Sequence, residues 1–380
     1  MRILVLPTGG AGGDLHPLLA VAAHLSRRDH EVVAFGGRDV TYAMSSVGAQ
    51  LLVSPPVLDL GPRFIAARNE ASSLPVDVQG RQVGSRLQDW GQDVAAAVRR
   101  VVADLSPDVL VSSLFGGLFA SQVAESTGLP WVAINSTFYF GPRPDRRLED
   151  DFATRTLILF RDFLLPPLAG AALVLHATDK HFDFDFDGLP PNQHYVGPLL
   201  WERPETSPDY LKEPGPPWVL VALSSDPQDD LYIASNALAA LAPKPVRVLV
   251  TLGAGHERRE LEPIPSNAIV VEHLAHGPIL ERAVLMVGHA GHGSVMKALW
   301  SGVPMVLVPW ARDQQGVAAR AERLEVAEVV SRKELPGEAL GRAVAKLLAD
   351  PQYHVRADTE AKRLRAQDPP SLSSELIERL

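Results

Sequence analysis

The sequence predicts an α/β protein with two domains, each built on a parallel β-sheet with helices on both faces. The chain has 380 residues, which exceeds one ordinary domain of roughly 150 residues. Hydrophobic residues make up 46% of it, enough to form two sizeable cores. Short apolar, β-branched runs alternate with helical stretches throughout, a pattern typical of strands that are buried on both faces of a parallel sheet.

Ten apolar runs predict the strands, five in each half of the chain. They are 2–7, 31–35, 108–112, 131–135 and 173–177, followed by 218–223, 246–252, 268–271, 284–288 and 305–308. Between the two sets lies a segment rich in proline and glycine, which excludes a helix or a central strand. We therefore expect domains at 1–203 and 217–355, a linker at 204–216, and a helical tail at 356–380 that packs back on the first domain.

Composition excludes several classes of protein. The net charge of −9 argues against a nucleic-acid binder, which needs a basic surface. The absence of cysteine excludes disulfides and thiolate catalysis. No run approaches the roughly 20 apolar residues of a membrane span, and the apolar run at the amino terminus is too short for a signal peptide. These observations predict a cytoplasmic protein.

A glycine-rich loop at 9–13 follows the first predicted strand and precedes a helix. Ligands bind at such places in open α/β sheets. The loop departs from the dinucleotide-binding fingerprint because the third glycine is missing and no acidic residue ends the second strand. Arg38 leaves an NADP-dependent oxidoreductase as an alternative. Asp14 is either a helix N-cap or a general base, and His16 is the alternative base.

A second glycine-rich segment covers 288–304. A strand ends at His289, a turn contains Gly291 and Gly293, and a helix begins near Ser294. The amide groups and the positive dipole end of such a helix can bind a diphosphate. Ser224 and Ser225, after the first strand of this half, are expected to open on the same cleft.

These residues resemble a known motif. Three runs are similar to the donor-binding motif of glycosyltransferases with the GT-B fold, within the UDP-glycosyltransferase-like superfamily. They are His-Ala-Gly-His-Gly-Ser at 289–294, Gly-Val-Pro at 302–304 and Pro-Trp-Ala-Arg-Asp-Gln at 309–314. The bacterial antibiotic and natural-product enzymes are the most similar group. The run Gly-Gly-Asp-Leu-His-Pro at 12–17 resembles the first loop of that family. The resemblance covers nearly the whole chain and implies two Rossmann-like domains that face each other across a cleft.

The resemblance also implies roles for individual residues. The donor diphosphate would be bound by His289, Ser294, the backbone of Gly291 and Gly293, and Ser224 with Ser225. His273 would stack on the nucleotide base, and the donor sugar would contact Trp310, Asp313 and Gln314. Asp14 occupies the position of the catalytic base, which is a histidine in most members.

Among the departures from the family pattern, two concern the nucleotide and the catalytic base. Lys297 stands where many UDP-sugar enzymes have a glutamate that binds ribose, so we expect dTDP rather than UDP as the nucleotide. The resemblance to bacterial natural-product enzymes implies that the donor is a dTDP-deoxysugar. The alternative is that Lys297 points outward as a solvated side chain. Ser112 and Ser113 stand where plant members carry an aspartate that orients the catalytic histidine, a partner that is less necessary when Asp14 is the base.

The alternating Phe and Asp residues at 181–187 could form an Asp-x-Asp metal site. We favour an edge strand whose carboxylates face water. We therefore expect no metal and no cofactor, since the nucleotide-sugar is a substrate.

Together these observations predict an inverting, metal-independent glycosyltransferase of the hexosyltransferase type. Its acceptor would be an apolar natural product, such as a polyketide, bound by the first domain. Aromatic residues of that domain are candidates for the acceptor wall, although at least half are expected to be ordinary core residues: Trp90, Phe115, Phe138, Tyr139, Phe140, Phe160 and Phe163. The alternatives are the oxidoreductase and a non-catalytic relative that binds nucleotide-sugar.

Overall fold

The computed structural model describes residues 1–8, 12–140, 158–184, 188–226, 228–335 and 337–380. It has the predicted α/β architecture, with two parallel sheets and helices on their faces. The chain divides into two compact units. The first unit contains residues 1–201 together with 368–380, and the second contains residues 202–367.

The sheet of the first unit has seven parallel strands in the order β3-β2-β1-β4-β5-β6-β7. The strands are β1 (Arg2–Leu6), β2 (Glu31–Gly36), β3 (Gln50–Val53), β4 (Val109–Ser113), β5 (Trp131–Asn135), β6 (Leu173–His176) and β7 (Gln193–Tyr195). The helices described here are α1 (Gly12–Arg27), α2 (Thr41–Ser46), α3 (Leu60–Ala71), α4 (Val76–Leu105) and α5 (Gly117–Thr127).

The sheet of the second unit has six parallel strands in the order β10-β9-β8-β11-β12-β13. The strands are β8 (Trp218–Ala222), β9 (Arg247–Thr251), β10 (Ala268–Val271), β11 (Ala283–Gly288), β12 (Met305–Leu307) and β13 (Ala327–Val329). The helices are α6 (Leu231–Leu241), α7 (His276–Leu280), α8 (His292–Ser301), α9 (Gln314–Arg323), α10 (Ala339–Ala349) and α11 (Pro351–Arg365). Helix α12 (Pro369–Ile377) completes the first unit.

Burial on both faces explains why the strands are continuously apolar. In β1, Ile3 and Val5 belong to the core on one face of the first sheet, whereas Leu4 and Leu6 belong to the core on the other. Every second residue of a strand points to the same face. A strand covered on both faces therefore has few positions for polar side chains, and β1 shows an unbroken apolar run from Ile3 to Leu6.

All ten predicted strands are present, and β3, β7 and β13 were missed. The three missed strands lie at sheet edges and have only three or four residues each, most of them incompletely buried. An edge strand has one unpaired side and less apolar burial. Its sequence therefore lacks the continuous apolar run by which the central strands were recognised.

The predicted edge strand at 181–187 is wrong for its described part. Residues 181–184 form turns rather than a strand, and 185–187 lie outside the described residues. The Asp183 carboxylate is buried and accepts hydrogen bonds from the backbone N–H of Tyr139 at 2.8 Å and the Tyr195 hydroxyl at 3.0 Å. The Phe184 N–H donates to it as well, at 2.8 Å. A carboxylate with several donors can be buried without facing water.

The carboxyl-terminal helices are divided between the two units. The predicted boundary at 355 falls inside α11, so the second unit extends to Gln367. Helix α12 packs on α1, where Ser374 Oγ lies 2.8 Å from His24 Nδ1. Arg28 donates two hydrogen bonds of 2.7 Å to the Glu378 carboxylate.

Candidate active site

Asp14 lies in the first turn of α1 and is only 4% exposed. Its Oδ1 accepts hydrogen bonds from Ser136 Oγ at 3.0 Å and the Leu114 N–H at 3.2 Å. Its Oδ2 accepts from Thr8 Oγ1 at 2.9 Å and the Phe115 N–H at 3.3 Å. The carboxylate therefore joins segments that are about 100 residues apart in the chain. It does not act as the N-cap of its own helix, so that alternative is wrong.

The donors around Asp14 come from the carboxyl ends of three adjacent strands. Thr8 follows β1, Leu114 and Phe115 follow β4, and Ser136 follows β5. The strand order changes direction between β1 and β4, because β1 pairs with β2 on one side and with β4 on the other. Open α/β sheets bind ligands in the crevice at such a switch point. Asp14 occupies that crevice.

Two serines flagged in the sequence have different roles. Ser113 Oγ lies 2.8 Å from Thr8 Oγ1, and because Thr8 donates its proton to Asp14, Ser113 is the donor to Thr8. Ser112 Oγ accepts from the Trp131 indole N–H at 2.9 Å and is fully buried. Only Ser113 therefore contributes to the surroundings of Asp14.

Burial raises the pKa of Asp14 above its ordinary value. The hydroxyls of Ser113, Thr8 and Ser136 and the Phe115 N–H lower the pKa and offset part of this effect. The net direction is upward because burial penalises the charged form of a carboxyl group. A carboxylate with a raised pKa is a stronger base than an ordinary surface aspartate.

His16, the alternative base, is partly exposed and contacts a different group. Its ring centroid lies 5.4 Å from that of Trp201, with the planes inclined at 52°. His16 therefore lies beside Trp201, the last residue of the 1–201 segment of this unit. Asp14 instead faces β4 and β5.

Trp90 does not lie on a surface that could bind an acceptor. It is 2% exposed, it packs in the core of α3, α4 and α5, and its indole N–H donates to the Leu58 carbonyl at 2.8 Å. Its place in the predicted acceptor wall is therefore corrected: it is a core residue with a satisfied N–H.

The other aromatic candidates follow β5, except Phe115, which follows β4. Phe138 is buried, and its ring centroid lies 4.6 Å from that of Phe140, which lies 4.7 Å from that of Phe160. Phe115, Tyr139 and Phe140 are partly exposed. Phe163 packs against Gly84, where any added side chain would collide with its ring. The partly exposed members follow Ser136 or Leu114, next to the crevice.

In the second unit, His289 follows β11 and is 7% exposed. Its Nδ1 lies 3.3 Å from the Ala222 carbonyl oxygen. Because a carbonyl only accepts, Nδ1 carries the proton, and Nε2 is the acceptor of the neutral ring. Burial lowers the pKa of His289, and the nearby Asp230 carboxylate opposes that change.

The two glycines of the turn have different structural reasons. A Cβ atom on Gly291 would lie 2.4 Å from His289 Nε2, whereas a Cβ on Gly293 would have no atom within 4 Å. Gly291 therefore leaves room for the imidazole ring. Gly293 is exposed in the first turn of α8, and Gly291 at the N-cap position has no side chain to cap that turn.

The turn after β8 lies beside this histidine because β8 and β11 are paired. Ser225 is exposed, and Ser224 is buried with its N–H donating to Asp230 Oδ2 at 2.9 Å. The other oxygen of Asp230 lies 3.2 Å from His256 Nε2. The buried Asp230 carboxylate therefore fixes the serine turn, a role that sequence analysis missed.

Arg312 is a second residue that sequence analysis missed. Its NH1 lies 2.6 Å from Asp226 Oδ2, and the ion pair is partly exposed. Arg312 has a φ of 55°, a left-handed conformation that is uncommon for a residue with a side chain. Ion pairing thus links the turn after β8 with the turn after β12, on strands that flank β11. An unusual backbone angle gives no signal in a single sequence.

Gln314 is not available to a sugar. It is 2% exposed, and its Oε1 accepts from the backbone N–H groups of Trp310 at 2.8 Å and Ala311 at 2.7 Å. Its Nε2 donates to Gln228 Oε1 at 2.9 Å. Trp310 is also buried, beneath the Arg332 guanidinium. Of the three predicted sugar ligands, Asp313 is the partly exposed one.

Lys297 points to a carboxylate, so the outward, solvated alternative is wrong. Its Nζ lies 2.8 Å from Glu202 Oε1, and its side chain is 15% exposed. Glu202 also accepts from the N–H groups of His276 and Gly277, both at 2.9 Å. Burial alone would raise the pKa of Glu202, but Lys297 and these amides hold it below its ordinary value. His273, which is predicted to stack on the nucleotide base, is exposed and precedes His276 closely in the chain.

In the part of the chain that the structure describes, no helix is both apolar enough and long enough to span a bilayer. Nor does that part of the chain contain three or more His, Asp or Glu side chains grouped so that they could bind a metal ion.

Residues 233–370 match the model of the glycosyltransferase family 28 C-terminal domain. The whole chain aligns with two curated relatives. It is 24% identical to the demethyllactenocin mycarosyltransferase of Streptomyces fradiae, over 86% of that enzyme. It is 27% identical to the 4'-demethylrebeccamycin synthase of Lentzea aerocolonigenes, over 99% of that enzyme.

The fold matches solved structures of glycosyltransferases. The spinosyn rhamnosyltransferase SpnG, solved with spinosyn aglycone, has a TM-score of 0.78 at 16% identity, with 99% of this chain and 100% of that chain covered. The family match extends over α8 and the turns that flank it, which the oxidoreductase alternative left unexplained. The chain is therefore a glycosyltransferase of the GT-B fold, with a family 28 carboxyl-terminal domain and a similarity to enzymes of antibiotic biosynthesis.

Proposed function

We propose that this enzyme transfers a sugar, with inversion, from a nucleoside-diphosphate donor to a hydroxyl group of an apolar acceptor. The observation that carries the proposal is the buried Asp14 carboxylate at the carboxyl ends of β1, β4 and β5. A basic group is required there because an alcohol must lose its proton as its oxygen becomes a nucleophile.

The second unit binds the donor in this proposal. Negative charge grows on the diphosphate as its bond to the sugar breaks, and donors oriented in advance towards that charge lower the barrier. The first turn of α8 supplies uncapped amide groups beside exposed Gly293 and the partly exposed Ser294. Ser225 and His289 lie on the neighbouring turns. This arrangement assigns charge stabilisation to the protein itself, so neither a metal ion nor a cofactor is required.

Asp313 is the residue that we assign to the donor sugar. Its position follows the buried turn at Trp310 and Ala311, which the Gln314 amide holds in place. Gln314 acts through that turn and not by contact with the sugar. A carboxylate can accept hydrogen bonds from two sugar hydroxyls at once.

We propose a dTDP-deoxysugar as the donor. One structure of SpnG contains thymidine diphosphate and covers 99% of this chain at 16% identity. Lys297 and Glu202 form an ion pair in the second unit, and a lysine has no acceptor for ribose hydroxyls. Thymidine has one ribose hydroxyl fewer than uridine, so the missing acceptor costs a thymidine nucleotide less binding affinity.

The acceptor is proposed to be an apolar natural product bound by the first unit. Phe115, Tyr139 and Phe140 are partly exposed in the loops that carry the hydrogen-bond donors of Asp14. Aromatic side chains near a polar reacting centre suit an apolar ligand with few polar groups.

In the reaction, the acceptor oxygen attacks the anomeric carbon from the face opposite the diphosphate. The new carbon–oxygen bond forms as the bond to the diphosphate oxygen breaks, and the acceptor proton ends on Asp14. The nucleoside diphosphate leaves as the anion.

The test is a screen of dTDP- and UDP-sugars against a panel of aromatic and macrocyclic alcohols, with the product analysed by NMR. We expect a product whose anomeric configuration is opposite to that of the donor. Retention of configuration would overturn the mechanism. Thermal shift with dTDP and UDP tests donor binding independently, since a ligand of the folded state raises its stability.

A further inference from the structure

The surroundings of Asp14 raise a question about how a substrate reaches it. A carboxylate offers about four acceptor positions. Two are occupied by the backbone N–H groups of Leu114 and Phe115, and others by the hydroxyls of Thr8 and Ser136. An acceptor hydroxyl that contacts Asp14 directly would have to displace one of these donors.

These donors differ in their access to solvent. The backbone amides are fixed where β4 leads towards α5. Thr8 and Ser113 are buried. Of the described hydroxyls around the carboxylate, Ser136 alone is partly exposed. Ser136 is therefore the hydroxyl-bearing residue that contacts Asp14 and also retains some exposure to solvent.

We propose that Ser136 is a catalytic residue, which receives the proton of the acceptor hydroxyl on its Oγ and passes its own proton to Asp14 Oδ1. The inference rests on the proposed function and adds a residue to it. In this step the acceptor O–H bond breaks as the proton moves to Ser136 Oγ, and the Ser136 O–H bond breaks as its proton moves to Asp14. The electron pair of the acceptor oxygen forms the bond to the anomeric carbon, and the diphosphate leaves with the pair of the broken bond.

The geometry fits a relay. Ser136 Oγ lies 3.0 Å from Asp14 Oδ1, at the long end of the range for a hydroxyl donor. A hydroxyl both donates and accepts, so serine can exchange one proton for another without acquiring charge. The upward direction of the Asp14 pKa favours the proton's arrival.

The turn that carries Ser136 is held on both sides. Buried Asn135 donates from Nδ2 to the Phe138 carbonyl at 3.0 Å, and its Oδ1 accepts from the Thr137 N–H at 3.3 Å. These bonds close the backbone around Ser136 after β5. A relay requires such a fixed hydroxyl, because a displacement of about 1 Å reduces the rate of a positioned reaction about 100-fold.

The experiment compares Ser136→Ala with Ser136→Thr and with Ser113→Ala. Each alanine variant removes one hydroxyl from the surroundings of Asp14, but Ser113 is buried and reaches the carboxylate through Thr8. The donor and acceptor are the pair with the highest wild-type turnover in the screen. dTDP titration and thermal unfolding accompany the kinetics of every variant.

We expect Ser136→Ala to lower kcat by about 100-fold or more, within the range typical of lost proton transfer, with dTDP affinity unchanged. Ser136→Thr should restore kcat to within about tenfold of wild type, since threonine keeps the hydroxyl. Ser113→Ala should lose less than about tenfold. For the wild type, a plot of the rate against the deuterium fraction of the solvent should be curved rather than straight, because two protons move in one step.

A different result separates the two proposals. If Asp14 acts directly, removal of a hydrogen bond raises its pKa. Ser136→Ala would then keep its activity, while the acidic limb of its pH profile would move to higher pH. That result would overturn the relay. Retained activity in Asp14→Asn would overturn Asp14 as the base and, with it, the proposed mechanism.

Discussion

The Nζ atom of Lys297 lies 2.8 Å from Oε1 of Glu202, which in turn accepts hydrogen bonds from the first amides of α7. Both side chains are largely buried, so the pair is less screened than an ion pair at the surface. Lys297 is thereby fixed as a donor, and the neighbouring carboxylate has no more than one acceptor position left for another group.

This pair predicts that dTDP binds more tightly than UDP. A ligand with a 2′-hydroxyl needs one more acceptor than a thymidine nucleotide does, and Lys297 offers none. One hydrogen bond to a charged group is worth about 1.5–3 kcal/mol, or roughly 10- to 100-fold in affinity. Side-by-side calorimetric titrations measure the difference. A tenfold preference for UDP would sink the prediction, and Lys297→Gln, which adds a carbonyl acceptor, should narrow the gap.

Asp14→Asn should lower both activity and stability. We expect kcat to fall by at least about 100-fold, because the amide is not a base. Each carboxylate oxygen accepts one backbone N–H, from Leu114 or Phe115. Whichever oxygen is replaced by the NH2 group, that group meets a donor that cannot rotate, at a cost of about 1–3 kcal/mol.

The control for this variant is Asp89→Asn, an exposed position on α4. It should change neither kcat nor the free energy of unfolding. Affinity for dTDP should stay near the wild-type value in Asp14→Asn, since the donor is proposed to bind to the second unit. Near-normal turnover in Asp14→Asn would mean that His16 should be tested as the base.

The fold could be predicted to the extent that burial leaves a trace in the sequence. The strands of each sheet's centre were all recognised, because a strand such as β1 is apolar on both faces. The edge strand β3 has no continuous buried run, since two of its four residues are exposed. Asp183 shows the opposite error: it was assigned to water from its charge, although Tyr139, Phe184 and Tyr195 all donate to it in the interior.

The candidate site was predictable where it depends on local sequence and not where it depends on distant partners. The turn of His289 and Gly291 follows one strand and could be found from spacing. Ser136 could not, because its hydrogen bond to Asp14 joins positions 122 residues apart. Gln314 was misassigned because a motif gives a residue type and not its partners. Its amide oxygen accepts from the Trp310 N–H, and its Nε2 donates to Gln228, 86 residues away in the chain.

His289 should make diphosphate binding depend on pH. Its Nδ1 proton faces the Ala222 carbonyl, so Nε2 can donate to a phosphate only when the ring takes up a second proton. The pKa of the ring is lowered by burial, and a bound anion raises it again. Affinity for dTDP should therefore increase as pH falls through the range between the two values, by up to about tenfold per pH unit.

The measurement is calorimetric titration of dTDP at several pH values, in two buffers of different ionisation enthalpy. Proton uptake appears as a difference between the buffers. His289→Ala is the matched comparison, because it keeps the titration of dTDP itself and removes that of the ring. It should bind dTDP more weakly and with less proton uptake. Unchanged affinity would remove His289 from the diphosphate site.

Chelation tests the metal-independent mechanism. Treatment with EDTA, followed by gel filtration, should leave kcat and dTDP affinity unchanged, because the amides of α8 are assigned to the charge of the diphosphate. A clear loss of activity that magnesium restores would show that a divalent ion takes part.

His176 ties the stability of the first unit to pH. It is buried at the end of β6, with Nδ1 2.9 Å from Asn135 Nδ2 and Nε2 2.9 Å from Gln193 Oε1. Asn135 Oδ1 already accepts the Thr137 N–H, so Asn135 presents its NH2 group to His176. The ring is thus neutral, with its proton on Nε2. A second proton on Nδ1 would face another donor.

Burial lowers the pKa of His176 from 6.5 to about 4. Between these two values the unfolded chain takes up a proton that the folded chain does not, so stability is complete above pH 6.5 and declines towards pH 4. One pKa unit corresponds to about 1.4 kcal/mol, which gives a loss of about 3 kcal/mol over the whole interval. Urea unfolding of the wild type and His176→Gln at pH 7.5 and pH 5 measures it, because glutamine does not titrate. The difference in unfolding free energy between the two proteins should shrink at pH 5 as the wild type loses its advantage. A difference that is the same at both pH values would show that His176 titrates alike in the folded and unfolded chains.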